Sequence, residues 1–256
     1  MKSLRLIGMT ITMVVLCVGF SACSGDDDDN GGGGSKGKAP KGVEAVDLGL
    51  PSGTKWANMN IGASHPEDYG DYFQWGETTP CTDHSEDLDL YSNYTPGGVV
   101  FSGTSYEDFG TEKDPMFADG TLTKEVINDW YSIPHGDIAG IAKYDAARAN
   151  WGGKWKMPTK TQWNELEEYC TWTWTEINGM KGYNVKSNKN GNSIFLPAAG
   201  IRTRKWLEDA GTYLWYWSST ISNSLGSAWG YDYNSSDYHG GADDRNDGHS
   251  VRPVEK

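Results

Sequence analysis

Hydrophobic and polar positions alternate with the period of a β-strand over most of the chain beyond Val43. Glu44–Leu50 alternates toward a strand and stops at Pro51-Ser52-Gly53, a turn signal, and Lys55–Ala63 is its expected partner. Tyr69–Glu77 is aromatic and partly extended, whereas Thr79–Lys113 is polar, rich in Gly and Asp, and expected to be irregular. Leu122–Tyr131 predicts a short helix. The firmest helix is Thr159–Cys170: Pro158 precedes it, Thr159 can cap it, and Gln162 three residues on completes a capping box. Trp163, Leu166 and Cys170 share one face of that helix, which must pack on a sheet. A meander follows, with strands Thr171–Ile177, Met180–Ser187 and Ser193–Ala199 separated by the turns Asn178-Gly179 and Asn190-Gly191. Tyr213–Thr220, Ala228–Tyr233 and Ser250–Val254 are the last expected strands, and no internal repeat is visible. The pattern is that of an α+β domain of antiparallel sheets with one or two helices and long irregular loops.

The first residues follow a different pattern. Lys2 and Arg5 precede an apolar run, Leu6–Phe20, too short for a comfortable membrane span. Phe20-Ser21-Ala22-Cys23 resembles a bacterial lipobox, which makes residues 1–22 a signal peptide and Cys23 the lipidated first residue of the mature chain; the other reading is an ordinary secretory signal with a cysteine by chance. Ser24-Gly25 and the aspartates Asp26–Asp29 look like the surface-export signal of Bacteroidetes lipoproteins, or else form a solvated spacer. Gly31–Gly34 and Ser35–Lys41 make a flexible tether, so that residues 23–42 would carry a single globular domain, 43–256, on the outer face of the outer membrane.

Charge and cysteine usage narrow the partners. The whole sequence carries a net charge of −13, and loss of Lys2 and Arg5 with the signal makes the mature chain more acidic. Such a surface disfavours nucleic acid and anionic membranes. Cys81 and Cys170 are the cysteines left after Cys23; they permit one disulfide, whose formation depends on whether the fold brings them together. Most of the 12 tryptophans are expected to fill the interior of a fold with few helices.

The C-terminal stretch has a composition of its own. Of the 33 residues Ser218–Ser250, 26 are Ser, Gly, Asp, Asn, Tyr or His. Two readings stand: a polar surface loop between strands, or an adaptable binding surface, in which Tyr supplies contact area and small polar residues supply hydrogen bonds. On the second reading, Asn223, Trp229, Tyr231, Tyr233, Asn234, Tyr238, His239, Asp243, Arg245 and Asn246 form one exposed contact surface. Alternation places Trp229, Tyr231 and Tyr233 on the same face of a strand.

Six strings, in order, resemble one family: Val46-Asp47-Leu48-Gly49-Leu50-Pro51-Ser52-Gly53-Thr54-Lys55-Trp56-Ala57; Tyr72-Phe73-Gln74-Trp75-Gly76-Glu77; Trp155-Lys156-Met157-Pro158-Thr159; Phe195-Leu196-Pro197-Ala198-Ala199-Gly200; Tyr216-Trp217-Ser218-Ser219-Thr220; and Ser250-Val251-Arg252-Pro253-Val254. Together they resemble the "Fibrobacter succinogenes major paralogous domain" lipoproteins over about Val43–Val254. The resemblance implies a C-type-lectin-like fold of the formylglycine-generating-enzyme subtype, with the first and last strands paired and a loop-rich face opposite the chain ends. That fold subtype also carries the variable proteins of diversity-generating retroelements, in which template adenines are mutated and the changes fall on a ligand-binding face near the C-terminus. An AAC codon mutated at its adenines never yields Lys, Glu, Gln, Met or Trp. In Ser218–Ser250, 32 of 33 residues lie in the permitted set, Trp229 being the exception, although Lys, Glu, Gln and Met make up 38 of the 256 residues overall. Turn-rich loops that avoid these residues would give the same bias.

Reactive chemistry is not indicated. No cysteine follows Cys170, so the late cysteines of the formylglycine-generating enzymes have no counterpart. The Glu-Pro-Asn, Gln-Pro-Asp and Trp-Asn-Asp motifs of calcium-dependent sugar-binding lectins are missing, and Trp163-Asn164-Glu165 lies in the expected helix. Asp243, Asp244 and Asp247 carry ligand oxygens suited to Ca²⁺ but fit a solvated loop better. His65, His84, His135, His239 and His249 show no metal-ligand spacing, and His239 and His249 are expected as contact residues. No metal, cofactor or catalytic residue is expected. The sequence thus predicts a lipid-anchored, outward-facing, non-enzymatic lipoprotein that binds a protein or glycan ligand. A structural or adhesin-like surface subunit is the alternative, and a degenerate enzyme of the formylglycine-generating fold comes third.

Overall fold

The computed structural model describes residues 37–81, 99–100, 104–105, 112–126, 132–203, 206–222, 226–236 and 238–256, all within one compact unit, 36–256. The expected signal peptide, Cys23, the expected tether as far as residue 36, Asn223, His84 and most of Thr79–Lys113, expected to be irregular, lie outside the described residues.

In chain order, β1 (Ala45–Asp47), β2 (Lys55–Ala57) and β3 (Tyr72–Phe73) are followed by two short strands, β4 (Val99–Val100) and β5 (Thr104–Ser105). Helix α1 (Pro115–Ala118) comes next, then the paired strands β6 (Thr123–Val126) and β7 (Ser132–His135), and the helices α2 (Ala146–Trp151) and α3 (Lys160–Tyr169). The meander is β8 (Cys170–Ile177), β9 (Met180–Ser187) and β10 (Ser193–Pro197). A hairpin, β11 (Ile201–Thr203) and β12 (Trp206–Glu208), leads to β13 (Tyr213–Ile221), β14 (Ser227–Asn234), β15 (Tyr238–Asp244), β16 (His249–Ser250) and β17 (Val254–Glu255). The described residues thus form mostly antiparallel sheets with three helices, an α+β architecture.

The α3 helix forms as its caps dictate. Gln162 N donates to Thr159 Oγ1 at 3.2 Å while Thr159 N donates to Gln162 Oε1 at 2.9 Å, so each end of the box satisfies an amide of the first turn. Trp163 and Leu166 are fully buried and Cys170 nearly so. Asn178 and Gly179 both have positive φ, 49° and 85°, which fits the two-residue turn that joins twisted strands, and β8 and β9 pair from Cys170↔Ser187 to Ile177↔Met180. Leu122–Tyr131 is a correction: its first part is strand β6, paired antiparallel with β7 as Thr123↔His135 through Val126↔Ser132. Thr and Val favour the extended backbone, and a neighbouring strand stabilises it more than an isolated short helix can stabilise itself.

The first and last strands, expected to pair with each other, are joined through β2 instead. Trp56 of β2 pairs with Val46 of β1 on one side and Val254 of β17 on the other. Arg252, fully buried, clasps this junction: Nε donates to Asn60 Oδ1 at 2.8 Å, and Nη1 and Nη2 donate to the carbonyls of Ala57 and Phe195 at 3.0 and 2.8 Å. Cys81 and Cys170 are free thiols.

The largest sheet has the order β15-β14-β13-β16-β3 and separates two apolar cores. One core sets Leu214, Tyr216, Tyr231 and Tyr233 of the sheet against Trp163 and Leu166 of α3 and against Val185, Ile194 and Leu196 of the meander. The other packs Phe73, Trp217 and Ala228 from the opposite face against Met59, Ile61, Ala147 and Trp151.

Candidate functional site

Period-two alternation sorts the residues of β13 and β14 onto those two faces. Leu214, Tyr216, Tyr231 and Tyr233 point to α3. Across the register, Tyr213↔Asn234, Trp215↔Asp232 and Trp217↔Gly230 point the other way. On β15, His239↔Asp232 and Gly241↔Gly230 continue that second face, and Asp243 lies on it one step further. At its Trp217 end the second face is covered by core; at its other end Tyr213, Trp215, Asp232 and Asn234 are all half-exposed.

The shared face expected for Trp229, Tyr231 and Tyr233 is present, but it is the buried one. Tyr231 and Tyr233 are each 1 % exposed. The Tyr231 ring stacks on Trp163 at 5.0 Å, and its hydroxyl donates to Asn164 Oδ1 at 2.7 Å and Lys160 O at 3.0 Å. Tyr233 lies 4.9 Å from the Trp172 ring and donates to Glu167 Oε1 at 2.7 Å. The expected exposed contact role is therefore corrected for both. An amphipathic helix needs an apolar partner, and a tyrosine can bury its ring under the helix while its hydroxyl reaches polar atoms on the helix flank. Gly240 makes room for this, because a Cβ there would lie 2.9 Å from the Tyr231 ring. Trp229 is half-buried on the same face, with the Lys160 ammonium 3.1 Å from its ring centroid.

Arg245 is also corrected. It is fully buried, and its Nη1 pairs with Asp114 Oδ2 at 2.9 Å. The other Asp114 oxygen accepts from Met116 N at 3.0 Å and so caps α1. One carboxylate thereby joins the last β-turn to a helix terminus, a scaffold role. His249, expected as a contact residue, is fully buried and stacks on Trp217 at 3.7 Å. Burial holds its imidazole neutral, with a pKa lowered to about 3. Asn246 is half-buried, and its carbonyl accepts from Gln74 Nε2 at 2.8 Å.

Two of the expected residues, Asn234 and His239, lie by register at the half-exposed end of that face, and Asp243 lies on the same face toward its Trp217 end. Asn234 closes the turn after β14, its Oδ1 accepting from Ser236 N at 2.8 Å. His239 reaches the face by register, and Tyr238 by register belongs to the opposite one; the side chains of both lie outside the described residues. Asp243 turns its carboxylate inward over Gly230, where a Cβ would overlap Asp243 Oδ2 and come within 3.3 Å of His249 Cε1. A Cβ on Gly241, by contrast, would meet nothing within 4 Å. Burial first, and then the Asp232 and Asp244 carboxylates, push the Asp243 carboxyl up to about 7.

Sequence reasoning missed Tyr213, Trp215, Gly230, Asp232 and Gly241. The signal was present: in Trp229-Gly230-Tyr231-Asp232-Tyr233-Asn234 the aromatic positions alternate with polar or Gly positions, and the aromatic set of a half-buried strand belongs inside. Among the described residues, no group of three or more His, Cys, Asp or Glu is arranged to hold a metal ion. No family model, curated protein or solved structure matches the chain.

Proposed function

We propose that the chain is a lipid-anchored, outward-facing binding protein without enzymatic activity, which holds a protein or glycan ligand on the half-exposed face of its main sheet. One observation carries this reading: β14 gives its aromatic positions to the scaffold and presents Asp232 and Asn234 on the other face, beside Tyr213 and Trp215. Two neighbouring half-exposed aromatic rings, 6.2 Å apart, with small and polar residues next to them, suit recognition. Burial pushes both the Cys81 and Cys170 thiols up to about 11, away from the reactive thiolate, which favours binding over thiol chemistry.

The finer fold reading is C-type-lectin-like. It is supported by the β1-β2-β17 sheet that gathers the domain's ends and by Arg252 of the Ser250–Val254 string acting as a clasp. On the same reading, retroelement diversification would act on the presented face. A near-copy of the DNA for Ser218–Ser250 should lie beside a reverse-transcriptase gene, differing only at adenines, with the differences concentrated at Asp232, Asn234, His239, Gly241 and Asp243. Differences concentrated instead at the Tyr231 and Tyr233 codons would contradict this.

The binding function is tested by screening the full-length chain on a glycan array and against host and bacterial surface extracts. Trp215→Ala combined with Asp232→Ala should abolish the specific hits while leaving the thermal melt nearly unchanged. Hits that survive this double change would place the binding surface elsewhere, and self-association in place of any ligand would favour the assembly subunit.

A further inference from the structure

The meander packs on the face of the main sheet opposite to Tyr213 and Trp215, and its strand β8 is an open sheet edge. We infer that two copies of the chain pair antiparallel along β8, centred on Thr173, so that their two three-stranded meanders join into one continuous sheet.

Among the described residues β8 has a neighbour on one side only, β9. The Asn178-Gly179 turn sets which backbone groups face that neighbour. Residues flanking a two-residue turn exchange hydrogen bonds, so Ile177 directs its N–H and C=O toward Met180, and by alternation Thr175, Thr173 and Thr171 face β9 as well. Asn188 N, donating to Tyr169 O at 3.1 Å, continues the same phase. Trp172, Trp174 and Glu176 therefore aim their N–H and C=O away from β9, and among the described residues no backbone group meets them there. Exposed edges are commonly blunted by short length, Lys, Pro or a bulge. β8 has none of these: it runs eight residues in unbroken register and contains neither Lys nor Pro. The other edge of the same sheet, β10, has five residues and ends in Pro197. Trp172 and Trp174 hold the open strand in place from beneath, their rings 4.9 Å from Tyr233 and 5.1 Å from Tyr183.

The occupant follows from the symmetry of the strand about Thr173. Setting Trp172 opposite Trp174 of the second copy satisfies the outward backbone groups of both, and the two Thr173 residues then face each other on a two-fold axis. The same register sets Thr171 opposite Thr175 and Tyr169 opposite Ile177. Tyr169 and Ile177 are large side chains left 41 % and 37 % exposed, four positions to either side of Thr173 and by alternation on the face of the three threonines. Self-pairing covers each of them with the other at both ends of the edge. Thr–Thr and aromatic–β-branched pairs are among the cross-strand combinations that stabilise sheets. The charges fit as well. A net charge of −13 makes copies repel wherever charged surfaces approach, but Tyr169–Thr175 carries no charge, and Glu176 would face Cys170 rather than its own counterpart. An extended peptide from another protein would require none of this symmetry. Each copy keeps its Tyr213 and Trp215 face free, so the pair would present two ligand faces together.

Sedimentation velocity of the full-length chain tests this, at physiological salt and in a non-ionic detergent that keeps the apolar Leu6–Phe20 run from associating. A reversible dimer whose share rises with concentration is expected. Thr173 is exposed, so its substitution spares the core. Thr173→Lys sets two ammonium groups against each other on the axis, and Thr173→Glu two carboxylates; each should weaken the dimer about tenfold or more. A mixture of the two variants pairs opposite charges at that point and should return to within about threefold of the parent affinity. Circular dichroism melts that match the parent's show that the fold is kept. Leu207→Lys alters the competing exposed apolar position, on β12, and should leave the dimer within about twofold, as for a screened surface charge. A monomer at every concentration, loss of the dimer in Leu207→Lys but not in Thr173→Lys, or failure of the mixture to restore pairing would overturn the inference.

Discussion

Tyr231→Ala measures whether the aromatic positions of β14 are scaffold or contact surface. The side chain is 1 % exposed, stacks 5.0 Å from Trp163, and makes two hydrogen bonds to the first turns of α3. Its truncation removes a whole ring from a packed core, which costs about 3–5 kcal/mol for a large aromatic. Tyr231→Phe keeps the ring and loses only the hydroxyl, and should cost about 1–2 kcal/mol, the net worth of the lost hydrogen bonds and the acceptors left behind. The two values separate packing from hydrogen bonding at one position. Urea unfolding at fixed pH, with an unchanged m-value, gives both numbers. For a domain of this size the alanine variant should also melt lower by about 2–4 °C per kcal/mol lost. A loss below about 1 kcal/mol for Tyr231→Ala, in the range of an exposed surface change, would refute the burial argument and return Tyr231 to the contact surface.

Further outcomes follow from the same geometry. Asp243 has its folded pKa raised to about 7, so the folded state holds this proton more tightly than the unfolded chain, and its contribution to stability is lost as pH rises from about 4 to 7. Because His249, with its pKa lowered to about 3, acts in the opposite sense as pH falls below about 6.5, the test is a comparison: Asp243→Asn should be more stable than the parent chain at pH 8, and a less stable variant there would contradict the assignment. Asp114→Ala leaves the Arg245 guanidinium buried without its carboxylate and removes the α1 cap; it should cost about 3–5 kcal/mol by denaturant melt, and a loss below about 1 kcal/mol would show that the pair is not structural. Protease shaving of intact cells should release the domain from its tether; protection of the domain while a known surface protein is cut would contradict the outward orientation.

How much of this was legible beforehand depends on which kind of signal each element carries. Helix α3 was legible because Thr159, Gln162, Trp163 and Leu166 state its start and its buried face locally. The β8–β9 hairpin was legible because Asn178-Gly179 suits few other backbone conformations. Strand β6 was misread as helix because its extended state depends on β7, a partner no local pattern names. Strand β15 was read as loop because Tyr238-His239-Gly240-Gly241-Ala242-Asp243-Asp244 lacks β-branched residues, and its pairing with β14 supplies what propensity does not. At the candidate site, alternation established that Trp229, Tyr231 and Tyr233 share a face, but composition alone favoured exposing them. Which face is buried was decided by Trp163 and Leu166, more than sixty residues away. Arg245 was misplaced for a similar reason: its counter-charge, Asp114, is 131 residues distant.

On the proposed binding reading, ligand sits on the face of Tyr213, Trp215, Asp232 and Asn234. Hydroxyl-radical footprinting of the full-length chain with and without the ligand recovered by the screen tests it most directly, because aromatic side chains report their own exposure. Protection should appear at Tyr213 and Trp215, while Trp206 and Tyr169, 60 % and 41 % exposed on other elements, keep their reactivity. Protection of Trp206 or Tyr169 with Trp215 unchanged would contradict the account.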